Sequence, residues 1–136
     1  MLFRSFDPTK FAAFCDSEWP NVVRAKGFFW LATRPDWLGE MSQAGPLVRH
    51  EGIGRWWAAV PRERWPEGEE FNKHVLAKWD PRFGDRRQEL VFIGIGMDEA
   101  ALRTRLDACL TDPNPKVGAT IKPRTDLKDP FPVWGQ

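Results

Sequence analysis

The stretch 84-GDRRQELVFIGIGMDEAALRTRLDACL-110 decides the fold class. Its middle, 88-QELVFIGI-95, reads as an apolar strand. The glycines of 94-GIG-96 make a turn, and Asp98 then caps a helix over 98–110. Leu102, Leu106, Cys109 and Leu110 fall on one face of that helix, and Glu99 stands four residues before Arg103 as a weak supporting pair. The other end raises a question. Five polar residues, Asp85 to Glu89, run straight into the strand. A strand entering a core rarely needs two arginines and two carboxylates at its mouth.

Upstream, 3-FRSF-6 reads as a short strand, and Asp7-Pro8 as a helix start, with aspartate at the cap and proline at the first helical position. Phe11, Phe14 and Cys15 form its apolar stripe, and the helix stops before Pro20. Residues 22–33 alternate as a strand, with Phe28 and Trp30 on one face and Phe29 and Leu31 on the other. The segment 34–40 is expected as a loop and 42–51 as a second strand, broken at Gly45-Pro46. A turn at 52-GIG-54 leads to 55-RWWAAV-60 as a third strand. After a charged loop, 69-EEFNKHVLAKW-79 has Phe71, Val75 and Trp79 at helical intervals and ends before Pro81.

The expected fold is α+β: an antiparallel or mixed sheet of about five strands, with two or three helices mainly on one face. The chain is one domain over 1–136, divided into a folded core, 1–111, and an extended tail, 112–136. Five prolines follow Thr111, and Phe131 and Trp134 are candidates to pin this tail. The strands are apolar on both faces, so whatever the helices leave bare must be covered by the tail, a partner or a second copy.

A formal charge of +1 gives no electrostatic case for nucleic acid or an anionic membrane. No apolar run approaches the roughly 20 residues of a membrane helix, and the first residues lack the apolar centre of a secretory signal. A cytoplasmic address is the default. Cys15 and Cys109 belong to no CxxC pair and read as buried thiols. The composition is odd in its aromatics: eight Trp, ten Phe and no Tyr. Tryptophan suits both cores and binding surfaces.

Possible sites are few. The Gly-x-Gly at 94–96 lacks a third glycine and precedes Asp98-Glu99, which would repel a phosphate. For metal, the candidates are His50 with Glu51 at a strand end, but three or four ligands must converge. His74 reads as a partly buried structural histidine. No catalytic motif is present, and arginines beside Asp85 and Glu89 favour their charged forms, the opposite of a general acid. Buried cross-strand tryptophans account for 55-RWW-57 more simply than a nucleic-acid surface does.

The pieces 24-RAKGFFWLATRPD-36, 42-SQAG-45, 55-RWWAAVP-61, 79–110 and 129-DPFPVW-134, in this order, resemble the C-terminal domain of the CobW family of P-loop GTPases. The resemblance runs from about residue 3 to 134. Its most specific part is the block from Gly84 to Leu110. Full members resemble metallochaperones: an N-terminal GTPase domain carries a Walker A loop and a Cys-x-Cys-Cys motif, with GTP-dependent delivery of zinc or cobalt attributed to it. This sequence contains neither motif, so the GTPase domain is absent and no catalytic residue is carried over. The family's Arg-Pro-Phe, His/Asp-Pro opening corresponds to 4-RSFDP-8, with Ser5 at the proline and Asp7 where a histidine is frequent.

The resemblance implies a non-catalytic accessory domain with no cofactor of its own. GTP and zinc or cobalt belong to the missing domain. Its partners would be a CobW-type GTPase domain or a metal-requiring client, with self-association possible. Asp85, Arg86, Arg87 and Glu89 are expected to form an ion network ordering the strand mouth, partly facing a partner. An exposed sheet face around Trp30, Trp56 or Trp57 is the expected contact surface. The alternative is a weak zinc or cobalt module using His50 and nearby acids.

Overall fold

The computed structural model describes residues 4–111 and 121–134. The first helix, α1, spans Pro8–Asp16, and the Asp7 carboxylate accepts from the N–H groups of Thr9 and Lys10. Strands β1 (Val22–Phe29), β2 (Trp37–Ala44) and β3 (Leu47–Arg55) follow. Helix α2 (Glu69–Leu76), strand β4 (Glu89–Gly94) and helix α3 (Glu99–Asp107) complete the elements, with Asp98 capping α3 through Ala101 N–H. The sheet is entirely antiparallel, in the order β3-β2-β1-β4. Phe6 lies within the expected 3–6 strand and makes bridges to Leu31 and Leu110; residue 3 lies outside the described residues.

The architecture is α+β, and among the described residues the sheet has four strands where about five were expected. Two local causes account for the difference. Gly45-Pro46 is not a break within one strand but the two-residue turn between β2 and β3, with Ala44 opposite Leu47. Gly45 has φ +60°, a value that a two-residue hairpin assigns to glycine at its first central position. Residues 37–40, expected as loop, therefore begin β2, and 52-GIG-54 lies inside β3 rather than forming a turn. Secondly, 55-RWWAAV-60 is no strand. Trp57–Ala59 is a 3-10 turn whose first two N–H groups, of Trp57 and Ala58, donate to the Asp85 carboxylate at 2.9 Å.

On the inner face, Ala25 and Phe29 of β1, Met41 and Gln43 of β2 and Leu90 and Phe92 of β4 meet α1 and α3. Phe11 is the hub: it stacks on Phe6 at 4.4 Å and lies against Phe29 and Phe131. The C-terminal segment belongs to this core. Phe131 and Trp134 are buried, and Trp134 packs on Gly52, where any Cβ would lie 2.6 Å from the tryptophan side chain. The aromatic pair pins the segment, as its composition predicts. The covered face is nevertheless the helical one.

The outer face is covered only at one end. A lobe formed by residues 56–88, including α2, closes over Phe28 and Leu38 with Trp30, Trp56 and Phe83. A second aromatic layer, Trp57, Trp65, Phe71 and Trp79, holds the lobe together. The rest of that face carries exposed Arg24, Lys26, Arg49 and Glu51, and at the β4 edge exposed Val91 and Ile93.

Candidate functional site

The charged mouth of β4 is a set of backbone clamps. Asp85 and Arg86 are buried. Asp85 starts the 3-10 turn. Arg86 donates to the carbonyl oxygens of Pro35 (2.5 Å) and Phe83 (3.1 Å) and pairs with Asp36 at 3.2 Å. Desolvation pulls this guanidinium below its ordinary value, against Asp36 and then Asp85, which raise it. Arg87 donates to the Asp85 carbonyl at 2.9 Å and approaches Glu89 at 3.4 Å, while Lys78 of the lobe reaches Glu89 at 3.0 Å. Burial alone would raise the Glu89 carboxyl, but Lys78 and Arg87 hold it below the ordinary carboxylate value. Such a carboxylate is a poor general acid.

Sequence reasoning passed over the centre of this block. Gln88 is buried, and its side-chain amide acts as a strand fragment. Oε1 accepts from Trp30 N–H at 3.0 Å, and Nε2 donates to the carbonyls of Trp30 (2.8 Å) and Arg4 (2.9 Å). It joins the N-terminal segment, the end of β1 and the mouth of β4. The turn at 94–96 is equally structural: Asn21 accepts from Ile95 N–H and donates to Gly96 O, and a Cβ on Gly94 would meet Asn21 O at 2.2 Å.

The tryptophans proposed as a contact surface are covered. Trp30 and Trp56 are each only 2% exposed, because the 56–88 lobe closes over the end of the sheet where they sit. Trp57 is half-buried, 4.9 Å from Phe71 within the lobe. The exposed apolar surface lies elsewhere. Val91 and Ile93 on β4 are 58% and 59% exposed, and Ile95 just beyond it is 82% exposed. They belong to 90-LVFIGIGM-97, eight residues without a polar side chain, on an edge strand. Natural edge strands usually carry charges or proline. That uncharged run was the available signal.

His50 and Glu51 do not converge. As neighbours on β3 they point to opposite faces. The His50 ring packs edge-on against Phe131 at 4.8 Å on the inner face, with Nδ1 buried and unpartnered, while Glu51 is exposed. His74 is exposed rather than partly buried. Burial pushes the Cys15 thiol up to about 12 and the Cys109 thiol up to about 11, so neither offers a thiolate. Among the described residues, no three His, Cys, Asp or Glu side chains are grouped to hold a metal ion. The same residues contain no helix long and apolar enough to cross a membrane.

A second clamp, also missed in the sequence, holds the C-terminal segment. Arg34 pairs with Asp129 through two nitrogens (2.7 and 3.0 Å), donates to the carbonyls of Phe131 and Pro132, and lies 4.5 Å from the Trp134 ring centre. Burial alone would raise the Asp129 carboxyl. The Arg34 and Thr33 hydrogen bonds and Phe131 N–H hold it below the ordinary value.

The family model for the cobalamin synthesis protein cobW C-terminal domain matches residues 2–110. The chain is 36% identical over 103 residues to zinc-regulated GTPase metalloprotein activator 1 of Dictyostelium discoideum, covering 74% of this chain and 22% of that protein. It is 29% identical over 133 residues to zinc chaperone Rv0106 of Mycobacterium tuberculosis, covering 96% of this chain and 33% of the relative. The same figures hold for uncharacterized protein Mb0109 of Mycobacterium bovis. The chain thus spans between a fifth and a third of the length of these relatives. The mycobacterial alignments take in most of the C-terminal segment that the family model leaves out. No solved structure matches.

Proposed function

Because the chain belongs to the CobW C-terminal domain family, we propose that it works as a non-catalytic interaction domain within a GTP-dependent metal-delivery system. It would contact a CobW-type GTPase domain or a client protein that needs the metal, in the cytoplasm. GTP and the zinc or cobalt cargo are handled outside these residues. Two similar proteins, one named a zinc-regulated GTPase metalloprotein activator and the other a zinc chaperone, support that setting. The buried, backbone-directed roles of Asp85, Arg86 and Gln88 support a scaffold rather than a reaction centre.

One observation carries the reading: the edge strand β4 presents Val91 and Ile93, with Ile95 beyond, to solvent. Burying three such side chains would supply several kcal/mol, about 1.5–3 each before the costs of association. The test is calorimetry of residues 1–136 with the CobW-type GTPase domain of the same organism. Val91→Lys/Ile93→Lys should weaken binding about tenfold or more and leave the melting temperature unchanged, since both positions are exposed. Unchanged affinity in the double variant rejects the β4 surface, and no association of the parent chain rejects the GTPase-domain contact.

A further inference from the structure

Among the described residues, β4 has one strand neighbour, β1, and its other edge is free. Every second residue of such an edge strand points its N–H and C=O away from the sheet. No turn or loop backbone group of the described residues bonds to 89–94. The free edge is an unfilled ladder.

A groove runs beside this edge, between β4 and α3, and holds about 470 Å³. That falls in the roughly 300–1,000 Å³ of clefts that bury ligand groups. Leu90 and Phe92 of β4 and Leu102 and Leu106 of α3 line it, and no residue of β1 or β2 does. It therefore opens at the edge of the inner face rather than beneath the sheet. Burial agrees: Ala25, Phe29 and Met41 on this face are at most 2% exposed, whereas Leu90, Phe92 and Leu106 are only half-buried. A strand added to β4 would lie about 4.8 Å from it. One set of its alternating side chains would enter the groove, and the other would lie beside Val91 and Ile93. A small apolar ligand would fill the groove but leave the ladder unpaired.

Charge narrows the occupant. Three carboxylates, Glu89, Glu99 and Asp107, line the groove, against a single cation, Arg103. Arg103 is engaged by Glu99 at 3.0 Å, and Glu89 is held by Lys78 and Arg87. Asp107 is exposed and has no ion pair among the described residues. It calls for a cation from the occupant. A second copy pairing strand to strand offers 89-ELVFIG-94, which has none.

We propose that the partner assigned above to β4 attaches by strand addition. An extended segment of another chain, alternating in apolar side chains and basic at one end, pairs with the free edge of β4, fills the groove under α3 and sets its cation on Asp107. The proposal rests on the reading of β4 as the contact surface and adds the mode of contact.

The test uses the ¹⁵N-labelled chain and a short capped peptide that alternates valine with threonine between terminal lysines. Millimolar peptide should shift the β4 and α3 signals saturably. At saturation, amide hydrogen exchange should slow at every second residue of β4, those facing the free edge, and stay unchanged at those already bonded to β1. The same peptide with its backbone nitrogens methylated should not bind. Asp107→Lys, at an exposed position, should weaken the titration about twofold to fivefold, as for an exposed ion pair. No titration, equal binding of the methylated peptide, or no alternating protection overturns strand addition. An undiminished titration in Asp107→Lys overturns the basic end. Alternating protection in the chain alone, rising with its concentration, assigns the edge to a second copy and overturns the proposal. Failure of the peptide beside an intact, Val91- and Ile93-dependent association with the GTPase domain rejects strand addition while the contact surface stands.

Discussion

Gln88 shows how one residue can hold three segments together. Its amide meets Trp30 on both backbone groups and reaches Arg4. Gln88→Leu keeps the volume but strips Trp30 N–H of its partner, so it should cost about 1–3 kcal/mol in chemical denaturation. Gln88→Glu should cost more, because a carboxylate would face two carbonyl oxygens. Arg34 is the second such residue. Arg34→Ala removes a two-nitrogen ion pair, two carbonyl hydrogen bonds and a stack on Trp134, and should cost about 2–4 kcal/mol. Its partner makes the pair pH-sensitive. The Asp129 carboxyl lies below its ordinary 3.8 in the folded protein, so the unfolded chain binds the proton first. The stabilisation is complete above that value and is lost as pH falls through the folded one. Asp129→Asn should therefore lower stability at neutral pH and flatten its decline in acid, as read by thermal melts across a pH series.

At the level of elements, the caps were legible and the long-range pairings were not. Asp7-Pro8 and Asp98 signal their helices because a cap acts within three residues. The uncharged run of β4 signals a strand in the same local way. By contrast, 55-RWWAAV-60 has a strand's alternation, and what bends it into a 3-10 turn is a carboxylate 28 positions away. No pattern within the segment could reveal that. The tryptophans were misplaced for the same reason: their burial is decided by a lobe that closes from later in the chain. Gly45-Pro46 was seen as an irregularity within one strand, and what makes it a hairpin turn is the pairing of Ala44 with Leu47 across it. The β2–β3 hairpin carries its own test. Gly52→Val places a branched side chain against Trp134, so it should expel the tryptophan. Trp134 fluorescence should shift red, with a loss of about 3–5 kcal/mol, as for deleting a buried tryptophan.

For the whole molecule, the C-terminal segment counts as core although a break in composition separates it from the rest. Phe131 and Trp134 complete the inner face over Phe11, Phe29 and Gly52. A chain ending at residue 128 should melt many degrees lower and bind a hydrophobic dye, whereas Val91→Lys/Ile93→Lys should do neither. That contrast separates the surface this domain needs for itself from the surface it offers to others.

The Arg34–Asp129 clamp spans 95 positions, and its timing matters as much as its strength. A nascent chain that has emerged from the ribosome up to residue 128 has a hairpin that can pair and helices that can dock, while the trough over Phe29 stands open. Until Phe131 and Trp134 are available, that trough stays uncovered, so the inner face closes only after the segment around Asp129 has emerged.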